Sequence, residues 1–392
     1  MAFAFGERFG QSHSATRPAI DAVRTLGGAV GTSRLASNSV DDPVTFPKGK
    51  IDELLSATLE LVETVQEVQG SPLPDLKWAY VNSKPRVRRA TKLKEDCIVS
   101  ELENAVGRLG GKEEEFVKSA VDHMVFREKT LASKDGRVPD FFSRVMIDEI
   151  FGFVIAGNDT SSTAISWGLK YLAENQAAQK KLRTSLETAL PRAASEARVP
   201  TIQEITGTQI PYLDATVEET LRCAASVPVV DRQAVVDTEL MGYHIPKGTV
   251  VTCLVTGPSM TSPAFPIDES RRSAGSKGGE RQRHRPWDPR DMASFKPERW
   301  LVGKANDFDA GAGPQLAFGL GTRQCFGKRL AHLEMRIMIA LIVWGFELLP
   351  CPSALSGHKP VLIMTNRPKD CYVRLREVER NIDISKTSRN AM

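Results

Sequence analysis

At 392 residues and 41% hydrophobic composition, the chain is long enough for one large domain or two ordinary ones with a sizeable buried core. Lys and Arg total 52 against 48 Asp and Glu, a net charge of +4, and no basic run is interleaved with aromatics, which argues against a nucleic-acid binder. The six cysteines form no CxxC or CxxxC pair and the six histidines no HxxxH pair, so neither a disulfide framework nor a zinc site is expected, and a reducing compartment is.

No apolar run approaches the ~20 residues that span a bilayer. Met1 to Gly10, with Glu7 and Arg8 inside it, does not read as a signal peptide. Residues 1–48 promise little beyond short helices. After Pro47-Lys48-Gly49, the spacing of Ile51, Leu54, Leu55, Leu59, Val62 and Val65 predicts an amphipathic helix over Ile51 to Val68. Leu73-Pro74 closes a turn, and Arg86 to Arg108 again has helical character. Its basic start, with Arg86, Arg88, Arg89, Lys92 and Lys94, suits a membrane surface or an acidic partner, although such runs are usually a solvated face.

From Pro139 no further proline occurs until Pro191. The first half of this stretch is apolar on nearly every face, as in a helix buried on all sides. Its middle, Ala156-Gly157-Asn158-Asp159-Thr160-Ser161-Ser162, conflicts with that pattern. Gly157 weakens a helix and hydroxyl side chains bond back to carbonyls one turn earlier, so a kink or bulge is predicted there. Local rules broken inside a core element point to function.

Tyr212 to Ala224 reads as a helix carrying Glu219-Thr220-Leu221-Arg222, where residues three apart share a face and can pair. Val227 to Val236 and Thr249 to Val255 read as strands, joined by a turn at Gly242 to Gly248. Residues 268–290, dense in Arg, Gly, Ser and Lys, read as a solvated, mobile loop.

The stretch from Phe318 to Gly327 follows, ahead of a predicted helix over Lys328 to Trp344 whose apolar face runs through Leu330, Leu333 and Ile337. A cysteine in a glycine-punctuated loop before a helix sits where N–H groups and the helix dipole favour a thiolate, a metal ligand. Arg323 is a fixed cation suited to a carboxylate. Val361 to Val378 suggests a hairpin.

Phe318-Gly319-Leu320-Gly321-Thr322-Arg323-Gln324-Cys325-Phe326-Gly327 resembles the haem-binding loop of the cytochrome P450 family. The resemblance implies a mainly α fold with small β-sheets (α+β) and makes Cys325 the proximal thiolate ligand of iron protoporphyrin IX (heme), donating electron density that favours O–O cleavage. Phe318, Gly319, Arg323 and Gly327 then shape the loop around that cofactor.

Ala-Gly-x-Asp-Thr is similar to the oxygen groove of the same family. By that likeness Thr160 is the hydroxyl that hydrogen-bonds oxygen, Asp159 the acid that relays protons, and Ala156 and Gly157 make room. Arg232 falls where a haem propionate is paired, and Ala225 to Val230 border the substrate cavity. Glu219 and Arg222 match a helix whose buried pair is locked by a later arginine, here Arg299 of Phe295-Lys296-Pro297-Glu298-Arg299-Trp300; this triad is a structural support.

The likeness runs from about Phe142 to Leu375. A hydrophobic anchor, a proline hinge, early strands and a Trp-x-x-x-Arg helix are not found, since Trp78 is followed by Asn82. The expectation is a single, N-terminally truncated catalytic domain over residues 1–392. Its longer form would be anchored on the endoplasmic reticulum membrane, facing the cytosol.

The implied activity is that of a haem-thiolate monooxygenase inserting one oxygen atom of O2 into a lipophilic small molecule by hydroxylation or epoxidation, with electrons from NADPH through an NADPH-cytochrome reductase. The Pro-Glu-Arg-Trp form resembles fungal members and suggests secondary metabolism. Two other readings are an O2-independent haem-thiolate isomerase or dehydratase, disfavoured by the retained Asp159-Thr160, and a non-catalytic haem-binding fragment, motivated by the missing front portion.

Overall fold

The computed structural model describes residues 42–43, 53–109, 117–271 and 287–379. The readings for residues 1–41 and for most of the polar loop, residues 272–286, lie outside them. The chain divides into two units, Met1–Asn158 and Asp159–Met392.

In the first unit, α1 (Glu53–Val68), α2 (Pro74–Ser83), α3 (Pro85–Arg108) and α4 (Ala120–Lys134) precede the start of the long helix α5 (Arg144–Glu174). Pro74 and Pro85 open α2 and α3, where a missing N–H is no loss. Ser119 caps α4 by accepting from the Asp122 N–H at 3.2 Å, and the buried Asp122 carboxylate takes the Arg108 guanidinium at 2.6 Å.

The core of this unit gathers Leu54, Ile98, Leu102, Val121, Val125, Met146 and Ile150. Along the basic run, Arg86 pairs with Glu60 and Glu67, Lys84 with Glu67 and Lys92 with Asp96, Arg88 and Arg89 are exposed, and Lys94 is buried beside Glu95 and over the Phe151 ring. Trp78 packs with Val68, Val81 and Val87.

Helix α5 extends for 31 residues, about 46 Å at the standard rise. It is α-helical without interruption through Gly157 and Thr160, so of the kink or bulge expected there no bulge forms. A glycine costs only about 1 kcal/mol in a helix interior, which the surrounding turns offset. The expected back-bonding does occur: the Ser162 hydroxyl donates to the Asp159 carbonyl at 3.1 Å.

The second unit continues α5 and adds α6 (Gln176–Ala189), α7 (Pro191–Ser195), α8 (Ile202–Gly207), α9 (Pro211–Ala224) and α10 (Lys328–Gly345). Its core centres on Leu172, Leu182, Leu186, Leu213, Met335, Ile339, Val343 and Trp344. The buried stripe of α10 is therefore Met335, Ile339 and Val343 at i, i+4 spacing. Of the face expected from sequence, Leu333 is 43% exposed and Leu330 and Ile337 are half-buried. Gly168 lets α5 approach α9 closely; an added Cβ would meet the Thr220 methyl at 3.0 Å.

Among the described residues the sheets are two-stranded and antiparallel. β1 (Val229–Gln233) pairs with β4 (Val250–Leu254), with Arg232 opposite Val251. The segment between them is itself a hairpin, β2 (Thr238–Leu240) with β3 (Tyr243–Ile245), and Gly242 lies in its turn instead of joining β1 to β4 directly. β5 (Leu301–Val302) pairs with β6 (Asp307–Phe308). The tail departs from a single hairpin: β8 (Pro360–Leu362) pairs with β9 (Asn366–Pro368), while β10 (Arg374–Glu377) returns to β7 (Phe346–Leu349).

Candidate active site

The loop ahead of α10 takes its shape from its own backbone. Gly319 at φ +65° and Gly321 at φ +71° occupy left-handed conformations that strain residues with a Cβ. The turn they make lets the Cys325 N–H donate to the Phe318 carbonyl at 2.7 Å. At Gly327 an added Cβ would stand 3.8 Å from the Cys325 sulfur, an ordinary contact distance, so this glycine lies directly beside the sulfur.

A cavity of about 270 Å³ brings the predicted residues together. Cys325, Phe318, Gly319 and Arg323 from the loop, Arg232 from β1 and Thr160 from α5 all line it. Its remaining wall is largely apolar, with Ala164, Leu221, Val227, Val230, Ala331 and Met335. Ser226 also lines it and carries a buried hydroxyl with no hydrogen-bond partner.

Arg232 donates to the Asp231 carbonyl at 2.8 Å, and among the described residues no carboxylate pairs with either cavity guanidinium. One thiol, two guanidiniums spaced around apolar walls and a glycine-lined approach match a flat, dianionic, metal-bearing cofactor, so the residues present fit haem.

Helix α9 supports this loop from behind. Glu218 accepts from Gln315 Nε2 at 3.0 Å and contacts His332 Nε2 at 2.7 Å; the His332 ring lies 5.0 Å from the Phe318 ring. Burial alone would lower the His332 pKa, but the Glu218 carboxylate outweighs it and holds the imidazole above its ordinary value.

The structural triad is dry and fully engaged. Glu219 takes Arg222 in a two-point fork at 2.8 and 2.7 Å, the Lys296 N–H at 2.7 Å, the Trp300 indole at 3.0 Å and Arg299 Nε at 3.4 Å. Arg222 spends its remaining donors on the carbonyls of Met260, Met292 and Ser294. The Trp287 ring sits 5.2 Å from both guanidiniums. Burial pushes the adjacent Cys223 thiol up to about 12, leaving it a neutral core group.

Asp159 does not line the cavity; its carboxylate accepts from the Thr365 hydroxyl at 2.7 Å. Ala156 and Gly157 stand one turn before Thr160 on α5, within the first unit. Sequence reading missed three contacts: Ser161 Oγ donating to Glu334 at 2.7 Å, His332 against Glu218, and Thr365 on Asp159. Their partners stand 173, 114 and 206 positions apart, beyond any local pattern. Only the cluster of hydroxyls at 160–163 hinted that something polar was waiting.

A cytochrome P450 family model matches residues 43–266 and 290–370. The chain is 42% identical to cytochrome P450 monooxygenase TRI13 of Fusarium sporotrichioides, across 96% of this chain and 67% of that protein. It is 39% identical to the Hps1-dma1 cluster cytochrome P450 monooxygenase cyp3.1 of Dothistroma septosporum, across 72% and 96%, and 36% identical to xilC of Penicillium rubens, across 96% and 64%. It thus spans about two thirds of the length of TRI13 and of xilC. The cytochrome P450DA heme domain superposes with a TM-score of 0.58 at 19% identity, covering 84% of this chain and 62% of that one, which shows the shared fold. The family model's extent, these relatives and the cavity's donor set lead to one conclusion: the chain belongs to the cytochrome P450 family of haem-dependent monooxygenases.

Proposed function

We propose that the chain inserts one oxygen atom of O2 into a lipophilic small molecule, by hydroxylation or epoxidation, in fungal secondary metabolism, with electrons from NADPH delivered by a cytochrome reductase. The observation that carries this is the convergence of Cys325, Arg323, Arg232 and Thr160 on one cavity. The relatives' names, one of them drawn from a gene cluster, support the metabolic setting.

Haem, when bound, supplies the reductive activation of dioxygen and the transfer of one oxygen atom. Cys325 would hold the iron through its sulfur. Arg323 and Arg232 would hold the cofactor's carboxylates by charge-assisted hydrogen bonds. Leu221, Val227, Val230 and Met335 keep water from the reacting space and accept an apolar substrate. Thr160 is the hydroxyl that passes protons into the cavity, and Asp159, its neighbour on α5, supplies them from the side facing the β8–β9 turn.

The test is the ferrous carbon monoxide difference spectrum of purified, haem-loaded protein. A red-shifted Soret band that disappears in Cys325→Ala is expected; a band without the thiolate shift in the parent protein would end this reading.

A further inference from the structure

The mechanism above leaves unexplained what holds Asp159. Four groups from the segment 358–371 grip α5. His358 Nε2 meets the Glu174 carboxylate at 2.7 Å, the Asn366 carbonyl accepts from the Trp167 indole at 2.6 Å, and the Cys371 thiol donates to the Ser166 carbonyl at 3.5 Å.

The fourth group is Thr365, in the β8–β9 turn and 2% exposed. Its hydroxyl donates to Asp159 at 2.7 Å and lies 2.9 Å from the Thr163 hydroxyl. A hydroxyl has one proton to give, so Thr365 accepts from Thr163 while donating to the carboxylate. The same turn is tied to the cavity wall, because the Asn366 N–H donates to the Ser226 carbonyl at 2.8 Å.

We propose that Thr365 is a positioning residue for proton delivery: the Thr163–Thr365–Asp159 chain of hydrogen bonds fixes the Asp159 carboxylate on the face of α5 from which Thr160 is served. Resting on the assignment of Asp159 as the relay acid, the inference adds a residue 206 positions further along the chain. A buried hydroxyl bonded to a carboxylate is stronger than a neutral pair and lowers the number of orientations the acid samples. Positioning of this kind matters because proton transfer by a placed side chain is worth about 10²–10⁴-fold in rate.

Two measurements on the haem-loaded 392-residue chain test it. With NADPH and a cytochrome reductase, oxygen consumption and peroxide released per NADPH are followed in Thr365→Val, Thr365→Ser, Asp159→Asn and the double variant Thr365→Val/Asp159→Asn. The valine variant should slow oxygen consumption about tenfold and raise the peroxide yield as Asp159→Asn does. The serine variant should restore both, the double variant should be no worse than Asp159→Asn alone, and the carbon monoxide band should stay unchanged throughout. In parallel, the drops in Tm of the two single variants should not add in the double variant, as expected of groups in direct contact.

Valine at wild-type levels beside an impaired Asp159→Asn overturns the inference and spares the relay. Losses that multiply in the double variant overturn it too, because Thr365 would then act apart from Asp159. Wild-type behaviour of Asp159→Asn sinks the relay assignment and the positioning role with it, while the unfolding cycle still reports on the bond itself.

Discussion

Two regions of the second unit carry charged groups in family motifs, yet they are built on opposite principles. Around Glu219 every charge meets a protein partner: the side chains of Glu219 and Arg222 are both 0% exposed, and their donors and acceptors are spent on one another, on three carbonyls and on an indole. At the Cys325 loop the thiol and Arg323 are exposed, Phe326 is 90% exposed, and the guanidiniums of Arg323 and Arg232 face a common space without carboxylate partners among the described residues. Polar groups that satisfy one another hold a fold together. Polar groups that converge without pairing are shaped for something that is not protein.

The contrast can be broken most sharply at Glu219. Glu219→Ala leaves Arg222 buried without its fork and should cost about 3–5 kcal/mol, read as a lower urea midpoint at unchanged slope. A loss below about 1 kcal/mol would show the cluster to be better hydrated than it looks.

Gly319→Val comes next. A β-branched residue at φ +65° should cost about 1–2 kcal/mol and weaken the thiolate carbon monoxide band by displacing Cys325, whose N–H depends on that turn. An unchanged melting temperature and band would show that the loop relaxes around a side chain.

The His332–Glu218 contact sharpens the comparison because it lies between the two regions. The folded pKa of His332 is raised above 6.5, so the pair contributes its full stability below that value and loses it as pH rises through the folded pKa. The Tm advantage of the parent over His332→Gln should therefore be largest in mild acid and shrink toward alkaline pH. An advantage that grows with pH would reverse the assignment.

The smallest stability effect is expected at the residue with the greatest functional weight. Cys325→Ala, exposed and outside both cores, should shift unfolding by no more than about 0.5 kcal/mol while abolishing the thiolate band. A large destabilisation would place Cys325 among the supports of the fold.

Much of this was readable along the chain because it is local. α1, α3, α9 and α10 announce themselves by apolar periodicity, and a Glu three residues before an Arg meets it on the same helix face. Which stripe of α10 enters the protein core was not readable, for a reason also found in the pattern. Leu330, Leu333 and Ile337 satisfy helical spacing as well as Met335, Ile339 and Val343 do, and periodicity does not say which stripe has a neighbour to bury against. Of the kink or bulge expected at Gly157, no bulge forms, because a glycine lowers the preference for helix without forbidding it.

By itself, the sequence determined the conformations that a few consecutive residues impose: the glycine turns at 319 and 321, the Glu219–Arg222 face, and the placing of Cys325 just before a helix. Only the tertiary structure decided that Arg232 and Thr160 share a cavity with that cysteine, that Thr365 reaches Asp159 across 206 positions, and that Glu218 stands behind Phe318 through His332. Neighbouring residues are constrained by their own backbone dihedrals. Distant ones meet only after the intervening chain has closed, and the free energy of that closure depends on the core as a whole and leaves no mark at either end.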